Sequence, residues 1–308
     1  MRMNNIIEVH SLAKSFGSIH AVKGIDFSVE KGTLFAFLGI NGAGKSTTID
    51  MLCTLLKPDG GSAAIDGHIL GAEDDRIRNS IGVVFQEGVL DNLLTVKENL
   101  ELRGRFYGLY GKSLKEAVRK ATAAAGAVEF LNRPYGKLSG GQRRRADIAR
   151  ALVHTPKILF LDEPTTGLDP QTRKNVWHTV RNLQREEQMT VFLTTHYMEE
   201  AAQADYITIM GQGGILAGGT PVELKQKYSS DVLKIKPRDK VYLARLLEEK
   251  GIAYADEGEV FTIELNSTLE AIDRVEPFRN LISNLEVMNG TMDDVFINVA
   301  GEGVKAAC

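Results

Sequence analysis

Only two cysteines, Cys53 and Cys308, occur in the 308 residues, one inside an apolar run and the other in last place. Two such positions form neither a disulfide framework nor a metal-ligand spacing, and a reducing compartment is expected. Long apolar runs are missing as well. The longest, such as residues 34–38, fall far short of the roughly 20 residues that cross a bilayer as a helix. Residues 1–10 hold one Arg and no long apolar stretch, so no secretory signal is expected. Excess charge is absent too. The formal net charge is -3, which gives no global positive field to draw nucleic acid. These absences point to the cytoplasm, and any work at a membrane requires spanning helices from another chain.

What is present is the material of an ordinary globular protein. The apolar fraction is 43% and the charged fraction 25%, enough for a sizeable core. The length allows one large domain or a domain with an appendage. Short strands are expected at 6–9 and 27–29. Residues 33–38 form a nearly unbroken apolar run, as in a strand buried on both faces. A glycine-rich loop follows, then a helix over 46–56 stopped by Pro58, Gly60 and Gly61. Further strands are expected at 63–70 and 81–85. From 95 to about 153 the apolar spacing turns helical. Strands resume at 158–161, 190–194 and 206–210, with a helix over 172–186 between the first two. Residues 211–219 read as turn, and Pro221 opens a helix reaching 228.

The expected fold is therefore α/β, a mostly parallel sheet covered on both sides, with a helical insertion at 95–153. The main domain is expected to span 1–229. Residues 230–308 form a small α+β subdomain, with strands at 232–235, 260–265 and 285–288 and helices at 242–249, 269–278 and 292–299.

Three motifs carry chemistry. The loop Gly39-Ile40-Asn41-Gly42-Ala43-Gly44-Lys45-Ser46 joins a buried strand to a helix. Its glycines let several backbone N–H groups face one anion, and the helix adds the positive end of its dipole. This is a phosphate-binding loop. Lys45 is expected on the β- and γ-phosphates, the Ser46 hydroxyl on Mg²⁺, and Gly39, Asn41, Gly42, Gly44 and Thr47 around the nucleotide. The second motif is the strand 158–161 ending in Asp162-Glu163. Two carboxylates at the end of a buried strand are costly unless used. Asp162 is expected to help hold Mg²⁺. Glu163, one residue on, is aimed differently and can face an attacking water. The third is Leu138-Ser139-Gly140-Gly141-Gln142, a second anion-binding helix cap.

In order and spacing these motifs, with Gln86, Gly167-Leu168-Asp169 and His196, resemble the ATP-binding subunit of an ABC (ATP-binding cassette) transporter. The resemblance covers about 6–228, with the fold of a P-loop NTPase carrying an inserted helical subdomain. It implies an ATPase using Mg²⁺. It also implies two cassettes that close face to face, so that Ser139, Gly140, Gly141 and Gln142 of one meet the ATP held by Lys45 of the other. A homodimer is the simplest arrangement. Gln86 would touch Mg²⁺ and water and meet the membrane subunit. His196 would contact the γ-phosphate, Asp169 would link the two sites, and Phe16 would stack on adenine. The run Arg143-Arg144-Arg145 is expected on a solvated helix face.

The stretch 85–100 and the closing Met292-Asp293-Asp294-Val295-Phe296-Ile297 are similar to the drug-resistance branch of daunorubicin type. Its cassettes pair with separate ABC-2 permeases on the cytoplasmic face of the membrane and serve as exporters. A second reading is an ABC ATPase acting on ribosomes or DNA without a permease. A single cassette and a short interval between loop and signature disfavour it. A third, a module that binds nucleotide without hydrolysing it, is opposed by Glu163 and His196. Cargo is not written in the sequence. Regulation, dimer contact and partner docking all remain open for 230–308.

Overall fold

The structure, a computed structural model, describes residues 5–305. Cys308 lies outside the described residues. The chain forms two compact units, one ending at Gly218 and the other beginning at Gly219.

In the first unit, β1 (Asn5–Phe16) and β2 (Ile19–Glu30) form a long antiparallel ribbon extended by β4 (Gly60–Ile65) and β5 (His68–Ile69). Sequence patterning finds only the open end of this ribbon, the start of β1 and the end of β2, because register irregularities near Val9–Leu12 and Lys14–Ser15 break the two-residue alternation toward the turn. The expected strand 63–70 splits into β4 and β5 at the Asp66-Gly67 turn.

The second sheet of this unit has six strands. They are β3 (Leu34–Leu38), β6 (Ile81–Val84), β7 (Ile158–Asp162), β8 (Thr190–Thr195), β9 (Tyr206–Gly211) and β10 (Gly214–Gly219), in the order β10-β9-β3-β8-β7-β6. Pairing is parallel from β9 through β3, β8 and β7 to β6. β3 is buried at every position, as its unbroken apolar run requires. Residues 211–219 are not all turn, since β10 adds a strand beside β9. Helix α1 (Lys45–Leu52) follows β3. Its Ile49, Met51 and Leu52 share one core with Ile7, Val9 and Val22 of the ribbon and Phe35, Phe37, Phe160 and Phe192 of the six-stranded sheet. That shared core fixes the position of the loop between β3 and α1.

Helix α2 (Asp74–Ser80) precedes β6; α3 (Val96–Phe106), α4 (Gly111–Ala124) and α5 (Gly140–Leu152) lie between β6 and β7; α6 (Pro170–Glu186) joins β7 to β8, and the short α7 (Met198–Ala201) follows β8. Thr95 and Ser139 cap α3 and α5 with capping boxes, and Asp169 caps α6. None of the described helices is long and apolar enough to cross a membrane.

The second unit begins with α8 (Pro221–Tyr228), capped by Thr220. It continues through β11 (Asp231–Pro237), α9 (Lys240–Glu249), β12 (Ala255–Asp256), β13 (Phe261–Leu265), α10 (Glu270–Val275), β14 (Ile282–Met288) and α11 (Met292–Lys305). Its antiparallel sheet runs β12-β13-β11-β14. Leu233, Ile235, Leu243, Leu247, Phe261, Ile263 and Phe278 make its core. Helix α8 packs against α11, so the boundary falls before α8 and not after residue 229 as expected. Pro221 marks where a helix starts, and nothing in its local pattern says which body it joins.

Candidate functional site

The loop between β3 and α1 is held by close backbone approach. Gly44 caps α1 with a left-handed φ of 103°, and a Cβ there would strike the Ala21 carbonyl oxygen. Lys45 is only 4% exposed. Its ammonium donates to the Gly39 carbonyl at 2.7 Å and to the Ile40 carbonyl at 3.1 Å. Burial lowers its pKa, against the raising effect of Glu163 and Asp162. Phe16, Asn41, Gly42, Gly44, Lys45, Ser46, Thr47, Gln86 and Glu163 line one cleft of about 410 Å³. Phe16 is half exposed at its rim, with Lys14 Nζ 5.7 Å from the ring centroid.

The carboxylates come from the end of β7. Asp162 accepts from Ser46 Oγ at 3.3 Å and from Thr194 Oγ1 at 2.5 Å. Glu163 takes a left-handed φ of 44°, an uncommon conformation for a side-chain-bearing residue. It turns the chain as the strand ends, so the two neighbouring carboxylates part company. The Glu163 N–H donates to Thr194 Oγ1 at 3.1 Å. Glu163 Oε1 lies 3.7 Å from Lys45 Nζ, and Oε2 accepts from Thr166 Oγ1 at 3.1 Å. His196 Nδ1 sits 3.3 Å from the same Oε2, but has no aligned hydrogen-bond partner. Asp162, Glu163, His196, Lys45 and Ser46 thus meet at one place, although Lys45 and His196 stand 151 positions apart in the chain.

Ser139, Gly140, Gly141 and Gln142 do not line that cleft. Ser139 Oγ accepts from the Gln142 N–H at 3.4 Å as the cap of α5. Both Ser139 and Gly140 are exposed. At Gly141 a Cβ would run into the Thr172 methyl of α6, so glycine lets α5 start close to α6 without displacing that side chain. Gly140 instead lines a second cleft of about 360 Å³ with Gln86, Arg143, Arg144, Thr166, Gly167 and Leu168. Asp147 and Tyr135 lie there too. Burial pushes the Asp147 carboxyl up to about 6, while the Tyr135 hydroxyl stands 3.1 Å from each of its oxygens.

The arginine run is not uniformly solvated. Arg143 is exposed, but Arg144 is 7% exposed. Its guanidinium donates to the Phe85 carbonyl at 2.5 Å, the Pro164 carbonyl at 2.5 Å and the Glu163 carbonyl at 3.0 Å. It thereby ties the start of α5 to the end of β7 and to the segment that holds Gln86. Arg145 reaches the Gly126 carbonyl at 2.8 Å. Helical phase buries it: Arg144 shares a face with Ile148 and Ala151, both buried. Lysine has no fork to reach three carbonyls. Arg144→Lys is therefore expected to lower the unfolding free energy by roughly 2–3 kcal/mol, measured in urea. Unchanged stability would show that those carbonyls do not depend on the guanidinium.

Sequence reasoning also missed Thr166 and Thr194, whose hydroxyls hold Glu163 and Asp162. Their only trace in the sequence is position, one just after the acidic pair and the other near the end of an apolar strand.

Residues 22–166 match the model of the ABC transporter family. The daunorubicin/doxorubicin resistance ATP-binding protein DrrA of Streptomyces peucetius is 44% identical over 76% of this chain and 71% of its own length. The linearmycin resistance ATP-binding protein LnrL of Bacillus subtilis is 33% identical over 97% of this chain and 100% of its own. Among solved structures, the cassette MJ0796, dimeric in a post-hydrolysis state with ADP and Pi, is 29% identical, with a TM-score of 0.63 over 70% of this chain and 98% of its own. CbiO1 of Clostridium perfringens, part of the ABC transporter complex cbiONQ, is 28% identical, with a TM-score of 0.67 over 81% of this chain and 100% of its own. The chain belongs to the ATP-binding, ATP-hydrolysing subunits of ABC transporters.

Proposed function

We propose that this cassette powers export of a small molecule through a separate ABC-2-type permease, as one half of a homodimer on the cytoplasmic face of the membrane. The observation that carries this reading is the split between the two anion-binding elements. The phosphate loop lines one cleft and Gly140 another, so a single chain offers two half-sites. Two copies facing each other complete both. The export assignment rests on relatives named for daunorubicin, doxorubicin and linearmycin resistance and for Nod factor export.

In this reading the nine cleft residues take the nucleotide, with Phe16 beneath adenine and Lys45 turning from the Gly39 and Ile40 carbonyls to the β- and γ-phosphates. Glu163 accepts a proton from a water as its oxygen attacks the γ-phosphorus. The bond to the β–γ bridging oxygen breaks and ADP leaves. Lys45 and His196 stabilise the charge that spreads over the transferring group. Among the described residues no cluster of three acidic, His or Cys ligands exists, yet Ser46 and Asp162 stand as adjacent oxygen donors. That pair fits Mg²⁺, which takes few protein ligands and completes its shell with phosphate and water. Ser46, Asp162 and Gln86 would hold it, and it would supply charge neutralisation at the phosphates.

A third cleft of the first unit, about 470 Å³, is lined by Cys53, Leu55, Phe85, Arg103, Phe106, Tyr107 and Arg150 among others. Phe106 is 75% exposed and Leu55 59%, an apolar pair open at the surface beside the segment leading to Gln86. We assign it to the permease. The test is to isolate the tagged chain from native membranes and identify what accompanies it. A polytopic permease is expected, and Phe106→Asp is expected to release the chain from the membrane while ATP binding persists. Recovery with ribosomes or DNA and no permease would overturn the reading in favour of a permease-free ATPase.

A further inference from the structure

Glu200, on α7, is 2% exposed, and among the described residues no cation comes closer to it than 4.0 Å. The nearest, Arg173 Nε, is 4.0 Å from its Oε1, and that guanidinium lies over the Tyr197 ring at 4.5 Å. A buried carboxylate without a close ion pair is costly unless hydrogen bonds to it are used. Glu200 has two of them, one on each oxygen. Thr165 Oγ1 donates to Oε1, and Thr195 Oγ1 donates to Oε2 at 2.7 Å. Thr195 Oγ1 in turn accepts from the Tyr197 N–H at 3.0 Å, and the Thr195 carbonyl accepts from the Gly39 N–H at 3.3 Å.

The two threonines come from different segments beside the candidate catalytic carboxylate. Thr165 lies just after β7, and Thr195 ends β8. In each case the very next residue touches Glu163. Thr166 Oγ1 donates to Glu163 Oε2 at 3.1 Å, and His196 Nδ1 stands 3.3 Å from the same oxygen. One buried carboxylate therefore clamps the anchors of both groups that flank Glu163 Oε2.

We propose that Glu200 is a positioning residue for ATP hydrolysis: through Thr165 and Thr195 it sets the separation of Thr166 and His196, and so the aim of the Glu163 carboxylate. The proposal rests on the reading of Glu163 as the base. Charge is the right choice for the clamp, because an ionised carboxylate accepts on both oxygens, whereas an amide offers one acceptor and a donor. Glu200 is buried and does not line the phosphate cleft, so its effect is expected in the chemical step rather than in nucleotide affinity.

The experiment measures kcat, KM for ATP and thermal stability in Glu200→Gln, Thr165→Val, Thr165→Ser, Thr195→Val and Thr195→Ser, with Glu163→Gln in parallel. Glu200→Gln and both Val variants are expected to lower kcat roughly tenfold to a hundredfold with KM nearly unchanged. The Ser variants, which keep the hydroxyl and lose only a methyl, are expected to restore most of the rate. The reverse pattern, with active Val and impaired Ser variants, would mean that packing and not the clamp matters, and would overturn the proposal. So would a folded Glu200→Gln enzyme turning over at the wild-type rate beside an inactive Glu163→Gln. Should Glu200→Gln not fold, the Val and Ser pairs decide alone. An active Glu163→Gln would instead remove the base, and the proposal would fall with that assignment whatever the Glu200 variants did.

Discussion

Glu163→Gln is expected to retain ATP, lose turnover by at least about a hundredfold, and accumulate as an ATP-bound dimer. A general base contributes roughly 10²–10⁴-fold to such a step, and glutamine keeps the shape while giving up the proton acceptor. The fold should survive the change. Glu163 is buried, but its partner Lys45 does not depend on it, since the ammonium is already held by the Gly39 and Ile40 carbonyls. Thr166 Oγ1 can still donate to the amide oxygen. Thermal stability close to wild type with hydrolysis lost would therefore isolate chemistry from folding. Size-exclusion chromatography with ATP would then report the dimer, because hydrolysis can no longer break the phosphate bridge between half-sites. Turnover at the wild-type rate would take Glu163 out of the role of base.

Why Glu163 was legible, and Arg144 and Glu200 were not, has a physical reason. Glu163 follows a fully apolar strand beside a second carboxylate, and that juxtaposition is costly in any ordinary core. The glycine loop is similar: close backbone approach at Gly39 and Gly44 and a left-handed φ at Gly42 account for so many glycines between a buried strand and a helix. Arg144 is one of three consecutive arginines, and only the 100° step of the helix turns it inward, four residues before buried Ile148. Read against that phase, it could have been found. Glu200 has no such mark. It follows Glu199, which is exposed, on a helix of four residues, too short to show a period. Helix α2 escaped for the same kind of reason, with Ile77 its only buried residue. The ribbon of β1 and β2 was underestimated because its irregular register hides alternation. In each case what the sequence hides is a long-range pairing, while what it displays is a local arrangement with a cost that must be offset.

Lys45→Ala is the second large effect: nucleotide affinity is expected to fall roughly a hundredfold, about 3 kcal/mol. The ammonium is the only cationic side chain among the residues lining the phosphate cleft, and it faces Glu163 with Asp162 close by. Removing it deletes a charge-assisted contact to the phosphates and leaves two carboxylates to repel a polyanion in a site partly shielded from water. The loss should therefore grow with the charge of the ligand, being largest for ATP, smaller for ADP and smallest for AMP. Fluorescent nucleotide titration across that series separates this mechanism from simple collapse of the loop, which would weaken all three alike. The backbone N–H groups and the α1 N-terminus remain in the variant, so weak residual binding is expected and not zero. Undiminished affinity for ATP would remove residues 39–46 from the role of phosphate loop.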